Sequence, residues 1–235
     1  MRLFIRGDVH GDFSFLEDFC NKYRTTKDDV LIILGDAGIL YYGADSYREK
    51  RIKRYIEEFP ITLFCVRGNH EDRPENRAEM KMMERFDNTV YYDPEYPHIL
   101  YALDGCPYEF NGQSFLVIGG AYSVDKEYRL LMHWYWNPQE QLSNAEMQEI
   151  EERIEGRHFN HILAHTCPEN WEPTYLFIKG VDQSKVDNTM EFWLEHNVVN
   201  KCTWDNYWFG HFHGDNMDIC SDGKVHMLFN NIVEL

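Results

Sequence analysis

The chain has 235 residues, enough for one sizeable domain with its own core. Its 23 basic residues against 40 acidic ones give a formal charge of −17, which disfavours nucleic acid and anionic membranes as bulk partners. That exclusion is global, because two divalent ions held at one place would reverse the local sign. The apolar run after Met1 is too short for a signal peptide, no stretch approaches the ~20 apolar residues of a membrane span, and six dispersed cysteines without a C-x-x-C pair read as reduced thiols. The expectation is a soluble, cytoplasmic, single domain over residues 1–235, with no membrane partner.

The apolar run Leu3-Phe4-Ile5 leads into Arg6-Gly7-Asp8-Val9-His10-Gly11-Asp12. Alternation along an extended chain puts Asp8 and His10 on one side, although taken alone the heptad reads equally well as a strand-to-helix turn. Phe15, Leu16, Phe19 and Tyr23 then give a helical spacing over 13–23. Val30 to Leu34 is a near-continuous β-prone run, as in a strand buried on both faces, and it ends in Gly35-Asp36-Ala37-Gly38. Residues 47–59 carry a helical stripe, and Ile61 to Val66 forms a third strand ending in Arg67-Gly68-Asn69-His70-Glu71. Strand and helix in alternation predict a parallel α/β sheet, whose functional groups gather beyond the strands' carboxyl ends.

After residue 70 the rhythm changes to short runs around Tyr91, Leu100, Tyr108 and Leu116, separated by Pro, Gly and Asn, which predict antiparallel hairpins with a turn at Asn111-Gly112. The aromatic segment 122–137 has no readable pattern. Ser143 and Glu146 form a capping box for a helix ending near Gly156. His161 to His165 reads as a buried strand, 166–186 as a loop insertion, 188–196 as a helix, and Tyr207-Trp208-Phe209 as a strand ending in Gly210-His211-Phe212-His213. Met217 to Cys220 and Val225 to Phe229 predict a closing hairpin around Ser221-Asp222-Gly223. The segments near 121–137 and 166–186 are expected to be lid or specificity insertions.

Five strand ends thus bear, in order, Asp8 with His10, Asp36, Asn69 with His70, His165, and His211 with His213. This set resembles the motifs D-x-H, G-D, G-N-H, H and G-H-x-H of the calcineurin-like metallophosphoesterase family, from residue 8 to residue 213. The resemblance implies an α/β fold of four α/β/β/α layers with mixed sheets, and a dinuclear site in which Asp8, His10, Asp36 and His213 hold one metal while Asp36, Asn69, His165 and His211 hold the other. A bridging carboxylate suits Asp36, and imidazole with oxygen ligands suits Mn, Fe, Zn, Co or Ni. The implied activity is hydrolysis of a phosphomonoester or phosphodiester, as phosphatase or phosphodiesterase, by metal-bound hydroxide, with His70 as candidate general acid.

Gly7 to Gly11 and Arg67 to Glu71 look like the protein serine/threonine phosphatase branch. That branch follows its second motif with an Asp and an Arg, however, where this chain has Ala37-Gly38-Ile39-Leu40. Arg67 and Arg73 either reach phosphate or form structural ion pairs, the commoner fate. His161 lies about 13 Å from His165 along one strand, at the wrong end for the site, and His98, His133, His158, His196 and His226 are assigned no chemistry. The rivals to a hydrolase are a non-catalytic metal-binding interaction module on the same fold and a nuclease.

Overall fold

The computed structural model of the chain describes residues 1–220 and 223–235. β1 (Leu3–Arg6), α1 (Leu16–Tyr23), β2 (Val30–Ile33), α2 (Tyr47–Glu57) and β3 (Thr62–Cys65) alternate as the periodicity predicts. All four residues of β2 and of β3 are buried, which explains why those runs are apolar rather than alternating, the one polar member being Thr62, whose hydroxyl donates to the Lys27 carbonyl. A meander follows, β4 (Lys81–Arg85), β5 (Asn88–Asp93) and β6 (Tyr96–Ala102), then the hairpin β7 (Pro107–Phe110) and β8 (Gln113–Ile118). Asn111 and Gly112 turn that hairpin at φ of 52° and 76°, the left-handed pair that a two-residue turn requires.

α3 (Lys126–Leu131) lies in the segment that carried no pattern. α4 (Asn144–Ile154) starts at Ser143, whose hydroxyl accepts from the Glu146 N–H while Glu146 reaches back to the Ser143 N–H, completing the predicted capping box. β9 (His158–Ala164), α5 (Thr189–Trp193) with one π-helical turn Leu194–Val198, β10 (Thr203–Phe209), β11 (Val225–Met227) and β12 (Val233–Glu234) complete the order.

The strands form two mixed sheets. One runs β12-β1-β2-β3-β6-β5-β4, parallel from β1 to β6 and antiparallel at both edges; the other runs β11-β10-β9-β8-β7, antiparallel only at β7. Period-2 alternation sorts the side chains. Ile5, Ile32 and Phe64 share a buried cluster with Phe110, Phe115 and Trp208 of the other sheet. Phe4, Leu31 and Leu63 point the opposite way, onto Phe19, Ile52 and Ile56 of α1 and α2. Phe159, Ile162 and Tyr207 pack on Met147, Ile150, Met190 and Trp193 of α4 and α5. The parallel registers, Arg6 beside Ile33, Ile33 beside Cys65 and Leu163 beside Trp208, bring the ends of β1, β2 and β3 level with one another and likewise β9 with β10.

Several expectations need correction. The first helix begins at Leu16 rather than 13. β6 and β8 pair antiparallel on one side only, since β6 lies parallel to β3 and β8 to β9. No regular closing hairpin joins 217–220 to 225–229 among the described residues: β11 pairs parallel with β10, and only an Asn216 to Met227 bridge and the Ile219 N–H on the Val225 carbonyl run antiparallel. Ser221 and Asp222 of its expected turn lie outside the described residues. Segment 166–186 carries three short 3-10 turns. No helix among the described residues is long and apolar enough to cross a membrane.

Candidate metal centre

The loop after β1 carries Asp8, which is 1 % exposed. Its Oδ1 accepts the His211 N–H at 2.8 Å, which ties the first motif to the last, while its Oδ2 is buried with no partner at hydrogen-bond geometry among the described residues. Around Oδ2 stand His213 Nε2 at 3.4 Å and His10 Nε2 at 3.7 Å, and those two ring nitrogens face each other at 2.9 Å. A carboxylate oxygen without a proton and two imidazole nitrogens aimed at one point suit a cation better than each other.

Asp36 follows β2. Its Oδ1 accepts the His70 N–H at 3.0 Å, and its Oδ2 lies 3.8 Å from His70 Nε2, 3.8 Å from His165 Nε2 and 3.9 Å from His10 Nδ1. His165, at the end of β9, donates from Nδ1–H to the Leu34 carbonyl at 2.7 Å and turns Nε2 towards the centre. Asn69 donates Nδ2–H to Ser123 Oγ at 2.8 Å, which turns Oδ1 towards His165 Nε2, also at 2.8 Å. Two ligand-type atoms in contact again fit a shared cation.

Donor atoms of Asp8, His10 and His213 lie within 4.8 Å of one another, as do those of Asp8, Asp36 and His165. Asp8 thus belongs to both groups. His211 belongs to neither; its ring centroid is 5.0 Å from that of His165, and it lines the same cavity as Asp36, Asn69, His70 and His213. The backbone is bent to make this convergence: His10, Asp36, His211 and His213 hold φ of 51°, 46°, 64° and 53°. Such left-handed conformations are uncommon and costly for non-glycine residues, and their concentration here marks a functional site. Gly68 serves the same packing, because a Cβ there would overlap the Asp36 carboxylate.

A sequence profile of the family described as calcineurin-like phosphoesterase matches residues 1–215. The chain belongs to the calcineurin-like phosphoesterase family. It is therefore a metal-dependent phosphoester hydrolase of mixed α/β fold. A comparison with curated proteins finds no match.

Within this phosphoesterase the electrostatics follow from burial and from the crowd of imidazoles. Burial alone would push the Asp36 carboxyl up, but His70, His165 and His10 hold it well below the usual range. Asp8 is lowered in the same way, burial being outweighed by His213, His165 and His10. Burial, reinforced by His165, drives His211 down to about 3 and so keeps it neutral. Burial also lowers His70, against the pull of Asp36. His213 is raised by its contact with Asp8. Glu71 is pushed up to about 8 by burial and by Asp36, against the N–H groups of Gly68, Gly38 and Ile39 that it accepts.

Arg67 and Arg73 do not reach the centre. Arg67 is bound to Asp104 at 2.8 Å and to the carbonyls of Glu140 and Gly119, and Arg73 to Glu146 at 2.5 Å, so both are structural. The cation beside the site is one the sequence did not disclose. Arg129, on α3, places Nη2 3.3 Å from His70 Nε2, with Nε on Asp125 Oδ2 at 2.7 Å and Nη1 on Tyr41 Oη at 3.0 Å. Asp125, the N-cap of α3, and Arg129 stand four residues apart, the spacing at which side chains of one turn meet. No pattern in 122–137 announced them. Ser123, which orients Asn69, was missed for the same reason. His161 accepts from Trp208 Nε1 at 3.0 Å, lies 3.2 Å from Gln113 Oε1 with Nε2, and stacks on Phe115; burial drives it down to about 4. It is a satisfied core histidine.

Proposed function

We propose that the chain hydrolyses a phosphomonoester or phosphodiester at a centre of two divalent metals, drawn from Mn, Fe, Zn, Co and Ni. Asp8, His10, Asp36 and His213 would hold one, and Asp36, Asn69, His165 and His211 the other. The observation that supports this most is the convergence of ligand-type atoms: Asp8 Oδ2, His10 Nε2 and His213 Nε2 in one group, His165 Nε2 and Asn69 Oδ1 in the other. Bound divalent ions supply Lewis acidity towards the phosphoryl oxygens and an acidified water.

The remaining work falls to the chain's own side chains. Arg129 offers a guanidinium fork, already oriented by Asp125 and Tyr41, to a phosphoryl oxygen. Nη2 of Arg129 and Nδ2 of Asn69 both face His70 Nε2, an arrangement in which that nitrogen accepts. A phosphate oxygen is the stronger acceptor for Arg129, and that pairing leaves His70 Nε2 free to take a proton from solvent water before the bond breaks. As the water oxygen bonds to phosphorus and the ester P–O bond breaks, His70 gives that proton to the leaving oxygen. The test is turnover of 4-nitrophenyl phosphate and bis(4-nitrophenyl) phosphate by the full chain with each metal in turn. Hydrolysis that chelator abolishes and metal restores is expected, and Arg129→Ala should raise KM about tenfold or more. No turnover with any of the five metals would refute the proposal.

A further inference from the structure

A cavity of about 420 Å³ opens directly from the centre: Asp36, Asn69, His70, His211 and His213 form one end of it. That volume suits one small organic group, within the range of ordinary ligand pockets. The 166–186 insertion contributes Leu176, Phe177, Ile178 and Val181 to its wall, together with Val124 and Phe212. The rings of Phe177 and Phe212 lie nearly parallel, 6.2 Å apart at 17°. No Lys or Arg lines the cavity among the described residues; its charged lining beyond the metal ligands is Asp125, Glu172 and Glu191.

Glu191 is the unusual member. It is 4 % exposed at the start of α5, and its Oε1 accepts from Thr166 Oγ1 at 2.8 Å. Its Oε2 is buried, without a hydrogen-bond partner among the described residues, in a side chain that lines the cavity. A buried unpaired carboxyl oxygen costs free energy unless something meets it. A ligand group that donates a hydrogen bond would satisfy it.

We propose that this cavity receives the alcohol part of the scissile ester and selects a compact apolar group bearing one hydrogen-bond donor and no second anionic group. The proposal rests on the phosphoesterase activity argued above and adds the substrate class. The apolar wall desolvates the body of the alcohol. Glu191 Oε2 accepts from its polar group, and a wall without Lys or Arg among the described residues, with Asp125 already paired to Arg129, leaves any further phosphate or carboxylate without a partner. Nucleotides and polyphosphates are excluded on that ground.

Four aryl esters separate the possibilities, because a methylene insulates the substituent from the leaving oxygen: phenyl phosphate and its para-aminomethyl, para-hydroxymethyl and para-carboxymethyl derivatives. With the manganese-loaded full chain, at least one of the two donor-bearing esters is expected to exceed phenyl phosphate in kcat/KM by about tenfold, as for a hydrogen bond to a charged group. The carboxymethyl ester should fall about tenfold below it. Aminomethyl ahead of hydroxymethyl would identify a cationic donor, and the reverse order a hydroxyl. Glu191→Gln should shrink the aminomethyl preference to within about twofold, and Ile178→Asp, at a position 61 % exposed and so tolerant of change, should raise KM for the phenyl ester. Calorimetric Kd values of the matching benzylphosphonates should follow the same order without turnover. Hydrolysis of all four esters at equal kcat/KM, or equal phosphonate Kd values, would overturn the selection while leaving the hydrolase activity standing. Absence of turnover with every metal would overturn both.

Discussion

Glu71 is a structural clamp on the metal loops, and its removal has a calculable cost. The side chain is buried at 4 % exposure and accepts the N–H of Gly38 at 2.8 Å, of Gly68 at 3.3 Å and of Ile39 at 3.4 Å. It therefore fastens the loop after β2, which carries Asp36, to the loop after β3, which carries Asn69 and His70. Glu71→Ala orphans all three donors. At about 1–3 kcal/mol for each buried unsatisfied group, with the two longer bonds weighted by half, the loss comes to about 4 kcal/mol. For a chain of this size that corresponds to a Tm lower by about 8–16 °C. Urea unfolding of the metal-free protein, followed by circular dichroism, measures the loss, and Glu71→Gln, which keeps one acceptor oxygen, should fall about halfway. A loss below about 1 kcal/mol for Glu71→Ala would refute the clamp.

Three further outcomes are expected. Burial would raise the Glu146 carboxyl, but Arg73 and Ser143 hold it down to about 2, so its stabilisation is present above its ordinary value near 4.5 and is lost as pH falls towards 2; Glu146→Gln should flatten the dependence of the urea midpoint on pH between 5 and 3, and an unchanged slope would contradict the pairing. His70→Asn should depress hydrolysis of alkyl phosphates by about 10²–10⁴-fold and of 4-nitrophenyl phosphate far less, since nitrophenolate leaves unaided; equal losses would make His70 a phosphate binder. Chelation should lower the Tm, because metals at about 100-fold their Kd stabilise by about 2.7 kcal/mol per site, and an identical melting curve after confirmed metal loss would count against the ligand cluster.

The strands that deliver the candidate ligands were legible because each is short, apolar and closed by a polar motif. Leu31 to Ile33 and Leu63 to Cys65 are buried on both faces and admit no polar residue, so the run and its end both stand out. β4 did not, because Lys81 to Arg85 form an exposed edge strand with almost no buried face to write a pattern. β12 is two residues long and takes its place from pairing with Phe4 and Ile5 rather than from its own composition. Gathering of Asp8, His10, Asp36, Asn69, His165 and His213 could be anticipated from strand ends alone. Arg129, Asp125 and Ser123 could not, because α3 buries none of its own residues and so shows no periodic stripe. The backbone turns at His10, Asp36, His211 and His213 were equally invisible, since left-handed conformations at non-glycine residues are imposed by the packing around them.

The most direct test of the dinuclear centre is metal stoichiometry by equilibrium dialysis of wild type and Asp36→Asn against manganese, read by elemental analysis. Asp36 Oδ2 lies 3.8–3.9 Å from His10, His70 and His165, so it touches a member of each proposed ligand set. Two ions per wild-type chain are expected, with both affinities weakened in Asp36→Asn. One ion per wild-type chain at saturation, or two ions bound undiminished by the variant, would contradict a carboxylate shared between two metals.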